Sequence, residues 1–364
     1  MFTKKHFINT ISILLLLVIN FIYLSDNSLS FLISPVIYFI VLTLLLCVLI
    51  FYIDKSLPAG GAINHKSFII LYLIVLLMFG TFEFIFNHSQ GLASFVSFNW
   101  LTNFIKGIFP YNNNNYAHNL PFLYYIDSPF FLLGNEEIIG LFGLILFFIL
   151  LLQISLTNKE LIIRLGAFLL LPIVYYEVVT GGDSLTNAVL IISIIFILDK
   201  FVNVDKVNIK FIFLSFLFGA FLCTRIIAVI PILLSVLFFF RNNFKNLLLF
   251  ILLSLLVCFA LIAPFIRWDY SSFTLFGPFA GAITELPIWV YLVLFVILIY
   301  AGWMISDMQE LFFVSGLILF FTALLIFLRG ENYFDEMVFG LPFFILSIKE
   351  YQVDNFLGKK ISIK

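Results

Sequence analysis

The sequence predicts an all-α fold: a polytopic transmembrane bundle of about 11–12 membrane segments, with a broken helix pair near Arg225. Three observations predict it. Hydrophobic residues fill 63% of the 364 positions and charged residues only 11%, whereas a soluble domain carries about a quarter charged residues. No soluble fold hides that much apolar surface, so lipid must cover part of it. The apolar stretches also run unbroken for roughly 17–23 residues, the length of a crossing helix, not of the short alternating strands of a barrel. Finally, the basic residues between the stretches divide unevenly once the stretches are counted as crossings.

The spans fall at 7–24, 31–53, 67–86, 138–156, 161–178, 185–201, 211–222, 226–240, 246–263, 288–304, 311–328 and 337–348. The first follows Lys4 and Lys5 and resembles a signal peptide, but no small-x-small cleavage site follows it, so it reads as a retained helix. With the second it forms an N-terminal pair over 1–66, ahead of a module spanning 67–348 and a short basic tail at 349–364. The seventh and eighth spans are unusual. Phe211–Leu222 is too short to cross alone, and Thr224 and Arg225 interrupt the chain before Ile226–Phe240. One kinked crossing or two short arms are both possible, and they reverse the sidedness of everything downstream. With two arms and a cytoplasmic N-terminus, 15 of the lysines and arginines fall inside. Only Lys106, Arg225, Arg267 and Arg329 fall outside or at the outer edge. The positive-inside bias favours that arrangement, so the pair is expected to be a hairpin whose tip carries Arg225, with both termini cytoplasmic.

The outer face then holds the long connections 87–137, 264–287 and 329–336, and function is expected where such loops meet helix ends. The net charge of −1 leaves no nucleic-acid footprint. Cys47, Cys223 and Cys258 sit in apolar runs without metal-ligand spacing and read as buried small residues. The loop 87–137 mixes aromatic and amide side chains, a composition that suits sugar recognition and equally an interfacial aromatic belt. In Tyr175–Ser184, Asp183 is placed to cap the next helix. Glu177 lies in the last turn of a span, where an ionisable side chain is a functional candidate. Arg225, held at depth, needs an anion: a phosphate, which matches the guanidinium fork, or an internal partner, Asp183 or Glu177. Arg329-Gly330-Glu331-Asn332-Tyr333 reads as an outer loop entering the last helix, or as a solvated charge run. Arg267, beside Trp268 and Asp269, reads as an interfacial anchor with a local charge partner.

In this order the pieces resemble the GT-C superfamily of multi-spanning glycosyltransferases, closest to its mannosyltransferase-like and protein-glycosyltransferase-like members. Gly107-Ile108-Phe109-Pro110-Tyr111 with Asn119-Leu120-Pro121 and Pro129 is similar to the family's "G-x-x-P-Y … P-P … P" pattern. Gly181-Gly182-Asp183 stands for its acidic second loop, Leu222-Cys223-Thr224-Arg225 for its "small-Thr-Lys/Arg" break, and Asn332-Tyr333 through Pro342 for its closing "R-Y-x-x-x-x-x-P" region. The resemblance covers roughly residues 67–348 and implies sugar transfer from a polyprenyl-phosphate sugar at the outer membrane surface. An acidic base would deprotonate the acceptor, while basic residues, sometimes with a divalent metal ion, steady the leaving phosphate. It assigns the base to Glu83 or His88, acceptor or metal contacts to Asp183 and Glu177, and phosphate contacts to Arg225 and Arg329, with Tyr111 and Tyr333 also lining the substrate. The chain departs from the family where an aspartate is expected: Thr81–Ser89 offers only Glu83, inside an apolar run, and His88. Asp26 and Asp127 are fallback acids. The expected partners are the bilayer and a lipid-linked sugar, in a bacterial cytoplasmic membrane. A transporter or flippase of a lipid-linked or amphipathic substrate is the alternative from another class, although no internal repeat is evident; a noncatalytic membrane scaffold is the third.

Overall fold

The computed structural model describes residues 4–26, 92–112, 117, 119–132, 138–179, 182–202, 204–279, 287–327 and 334–348. Among these the protein is all helix, with no strand. In chain order the helices are α1 (Lys4–Asp26), α2 (Leu92–Ile105), α3 (Pro121–Leu132), α4 (Ile138–Ile154), α5 (Asn158–Leu169), α6 (Pro172–Val179) and α7 (Ser184–Phe201). They continue as α8 (Ile209–Leu222), α9 (Val229–Phe240), α10 (Phe244–Trp268), α11 (Tyr270–Leu275), α12 (Ile288–Met304), α13 (Met308–Phe327) and α14 (Phe334–Ser347). The expected spans 31–53 and 67–86 lie outside the described residues.

Among the described residues four helices are long and apolar enough to cross a bilayer: Lys4–Ile22, Ser184–Phe201, Phe244–Trp268 and Met308–Ile326. Five shorter apolar helices join them, and the protein is a membrane protein. The core is built around α14 and α7. The whole described face of α14, from Met337 to Ile348, is buried against α13, α7 and α1. By contrast α10 exposes Leu252, Leu255, Leu256 and Phe259, and α12 exposes Trp289, Leu292, Val296 and Tyr300. Bare apolar helix faces of this kind suit lipid.

The broken pair is a hairpin. At 14 residues α8 rises only about 21 Å, short of the roughly 30 Å hydrocarbon core. Phe211, at its start, lies edge-on to Phe240 at the end of α9, ring centroids 5.7 Å apart. The chain therefore reverses between the two helices, through a short 3-10 turn at Ile226–Ala228. α8 and α10 run parallel and close: Ser254 Oγ donates to the Ser215 carbonyl at 2.8 Å, and a Cβ at Gly219 would overlap the Ser254 carbonyl and stand 2.9 Å from Val257 Cβ. Small residues allow this approach.

Two further elements differ from the sequence expectation. The span 161–178 is two helices, because Pro172 cannot donate to a helical ladder and starts a new helix after Leu170 and Leu171. The long loop is likewise partly helical, holding α2 and α3. α2 ends at Gly107, whose φ of +70° is the left-handed conformation a helix stop favours; Gly107 N donates to the Phe104 carbonyl and Ile108 N to that of Asn103.

Opposite the hairpin tip, polar side chains tie the helix ends together. Arg164, almost fully buried, pairs with Glu160 at 2.7 Å and donates from Nε to the Ile348 carbonyl (2.8 Å) and from Nη2 to that of Leu346 (2.9 Å). It thereby satisfies carbonyls that the end of α14 leaves open. Lys4 pairs with Glu310, and Arg241 donates to the Ile305 carbonyl at this same end. The basic residues expected on one side of the membrane, Lys4, Arg164 and Arg241, thus stand at the end of the bundle away from Arg225.

Candidate functional site at the broken helix pair

At the break the backbone leaves the helix. Thr224 Oγ1 donates back to the Phe221 carbonyl at 2.7 Å, and Arg225 is extended, with φ −145° and ψ 149°. The freed carbonyls of Cys223 and Thr224 are buried and need donors. The long loop supplies them: Leu120 N donates to Thr224 at 2.8 Å and Phe122 N to Cys223 at 2.9 Å. Pro121, between those donors, has no N–H to leave unsatisfied and opens α3. This contact docks the loop onto the hairpin tip.

The docked loop brings Asn119 to Asp183. Asn119 Nδ2 donates to Asp183 Oδ2 at 2.6 Å, while Arg225 Nη2 pairs with Asp183 Oδ1. Asp183 and Arg225 are both buried, 5% and 8% exposed, so this ion pair is shielded from solvent screening. The carboxylate was expected to cap α7. It stands at the N-cap position but makes no capping bond, because Arg225 and Asn119 occupy both its oxygens. Asp183, one of the two internal partners open to Arg225, pairs with it. Glu177 is buried beside them: its carbonyl accepts from Gly182 N at 2.7 Å, and a Cβ at Gly182 would overlap its carboxylate. Glycine at 182 therefore leaves room for the Glu177 carboxylate against the backbone beside Asp183.

Aromatic rings roof this pair. Trp100 stacks on Tyr124 at 4.4 Å and 13° between planes, and Tyr111 stands edge-on to Trp100 at 5.7 Å and to Phe273 at 5.1 Å. Tyr111 Oη donates to the Asn119 carbonyl at 3.1 Å and so holds the loop over Asp183. Trp100, Tyr111 and Tyr124 are fully buried. The stacking faces that composition offered to a sugar are taken here by other rings. Burial first, and then the nearby Asp183 carboxylate, raise the Tyr124 phenol well above its usual value.

Of the residues expected at the site, Asp183, Glu177, Arg225 and Tyr111 converge. Glu83, His88, Arg329 and Tyr333 lie outside the described residues. Asp127, a fallback acid, accepts from Ser97 at 3.2 Å. The local partner expected for Arg267 is otherwise engaged: Asp269 accepts from Ser271 and Ser272 and caps α11, and those bonds, led by the Ser272 amide, hold its carboxyl below the usual range. Sequence reasoning did not assign roles to Asn119, Tyr124 and Asn187. Asn119 lies in the Asn-Leu-Pro stretch singled out above. Asn187, one helical turn beyond Asp183, is fully buried, and its amide has no hydrogen-bond partner among the described residues.

Among the described residues no three carboxylate, imidazole or thiol groups gather, and the guanidinium of Arg225 already stands where a cation would meet Asp183. Chemically the arrangement is a buried cation paired with a carboxylate, with a second buried carboxylate two turns of chain away and a docked loop beside it. A small apolar cleft elsewhere, lined by Leu144, Phe147, Phe148, Leu151, Leu165, Phe168 and Leu169, shares no residue with it. No protein-family model matches the chain, and neither a curated protein nor a solved structure shows significant similarity to it.

Proposed function

We propose that the protein is an integral membrane glycosyltransferase that moves a sugar from a polyprenyl-phosphate donor at the outer face of a bacterial cytoplasmic membrane, in the manner of the GT-C enzymes it resembles. The observation that carries this reading is Arg225, buried at the tip of a hairpin of short helices and joined there by Asp183, Glu177 and the docked loop bearing Asn119 and Tyr111. A guanidinium at that depth must keep an anionic partner. Phosphate oxygens match its fork as a carboxylate does, so the donor phosphate can exchange with Asp183. Release of Asp183 would then free a carboxylate, beside Glu177, to meet the acceptor hydroxyl. The base that completes the transfer is assigned to Glu83 or His88. The hairpin puts the basic helix ends opposite Arg225, which supports an outward site and cytoplasmic termini.

A second reading, a noncatalytic membrane scaffold, is favoured by the same ion pair if it never opens. Turnover separates the two. Purified full-length protein in lipid nanodiscs, given polyprenyl-phosphate hexose and a hydroxyl acceptor, is expected to release polyprenyl phosphate. Arg225→Lys should lower the rate at least tenfold, and Asp183→Asn at least a hundredfold. Absence of turnover by the wild-type chain across hexose donors would favour the scaffold. Movement of intact donor between leaflets without cleavage would favour a flippase.

A further inference from the structure

The thiols of Cys223 and Cys258 meet beside the proposed site without taking part in it. Cys223 caps the end of α8, and Cys258 lies on α10. Their Sγ atoms are 2.9 Å apart, both thiols are free, and Cys223 Sγ also donates to the Cys258 carbonyl at 3.3 Å. Two rigid elements set this approach. Ser215, Gly219 and Cys223 follow one another at four-residue spacing on α8, facing Ser254 and Cys258 on α10. The Ser254-to-Ser215 bond and the bare Gly219 backbone fix the helices one turn below the sulfurs.

We infer that this pair is a dithiol modification site, closed to a disulfide by a lipophilic two-electron oxidant of the quinone class. A disulfide needs the sulfurs at about 2.05 Å, an approach of about 0.9 Å from their present separation. The S–S bond forms as both S–H bonds break, and two electrons and two protons reduce the quinone to its hydroquinone. The oxidant class follows from where the pair opens. Cys223 is buried and Cys258 half-buried, and the neighbours of Cys258 on α10, Leu255, Leu256 and Phe259, are exposed and apolar. A reagent that arrives across that face partitions into lipid. Closure would pin α10 to the residue whose carbonyl holds Phe122 N, fastening the hairpin tip under the docked loop. The inference does not depend on the reaction proposed above.

The test uses full-length Cys47→Ser protein in lipid nanodiscs, so that only this pair remains. The protein is treated with decylubiquinone or, separately, with phenylarsine oxide, which bridges two close thiols and releases water. It is then denatured, labelled with maleimide and weighed intact. The expected result is a mass lower by two hydrogens after the quinone, with both maleimide adducts lost and restored by dithiothreitol. The arsenical should add once per chain and block the same two thiols. With Cys223→Ser or Cys258→Ser, one maleimide adduct should survive either treatment. Two adducts after the quinone, on protein that elutes as a folded species, would overturn the inference whether or not the arsenical adds, as would cross-linked dimers or equal thiol loss in the single-serine variants.

Discussion

Arg225 and Asp183 are each buried, so neither can be changed alone without leaving an uncompensated charge. Arg225→Met is expected to cost about 3–5 kcal/mol, because Asp183 stays behind. Adding Asp183→Leu should recover most of that loss, since a buried ion pair exchanged for apolar side chains is often neutral. Thermal unfolding in detergent of the two single variants and the double variant reads both terms. A double variant that regains stability but not turnover would assign the pair to chemistry rather than folding. Tyr124 provides a pH readout. Its phenol is raised when folded, so its neutral form contributes stability below the unfolded value of about 10, and that contribution is lost as pH rises through the folded value. Tyrosinate absorbance should therefore show, beside the likewise buried Tyr111 phenol, one phenol that ionises only as the protein unfolds in alkali and that Tyr124→Phe removes. An early titration of that phenol in folded protein would contradict its burial beside Asp183.

Among elements, the α8–α10 contact is the tightest place to probe. Gly219→Leu would drive a side chain into the Ser254 carbonyl and Val257, and overpacking of this kind costs about 1–3 kcal/mol. The helix starts at the other end of the bundle use one device twice. Thr157 Oγ1 accepts from Glu160 N at 3.1 Å while Leu156 N donates to Glu160 at 2.9 Å; Asp307 accepts from Glu310 N at 2.9 Å while Ser306 N donates to Glu310 at 3.0 Å. Both are variants of the capping box, and Thr157→Ala should destabilise by about 1 kcal/mol. Each glutamate also pairs with a cation, Glu160 with Arg164 one turn on in its own helix and Glu310 with Lys4 of α1. The spacing of these caps and the Ser215-Gly219-Cys223 stripe stand in the sequence. Which helix meets the stripe does not, because four-residue periodicity names a face and not its neighbour.

For the molecule as a whole, sidedness is the property on which the functional reading turns. In a cysteine-free background, Lys106→Cys near the hairpin tip and Lys245→Cys at the opposite end should react with a membrane-impermeant thiol reagent from opposite sides. Both positions are exposed. Labelling of both from one side would overturn the hairpin orientation. The hairpin itself was legible in the sequence, because an arginine amid short apolar arms and the distribution of lysines are properties of composition along the chain. Membrane residence and the all-helical class were legible for the same reason: a bilayer admits only backbones that satisfy themselves, and the apolar runs have helical length. Asp183 and Arg225 also stood out singly, as charges where charge is costly. Their pairing did not, since 42 residues separate them and a helix cap, Glu177 or a phosphate each offered an equal chemical match. Tertiary structure decided it by docking Leu120 and Phe122 onto the carbonyls of the break, which carries Asn119 to one oxygen of Asp183 while Arg225 pairs with the other. Sequence thus determined which groups must find partners in an apolar medium, and only the packing of the helices determined which partners they found.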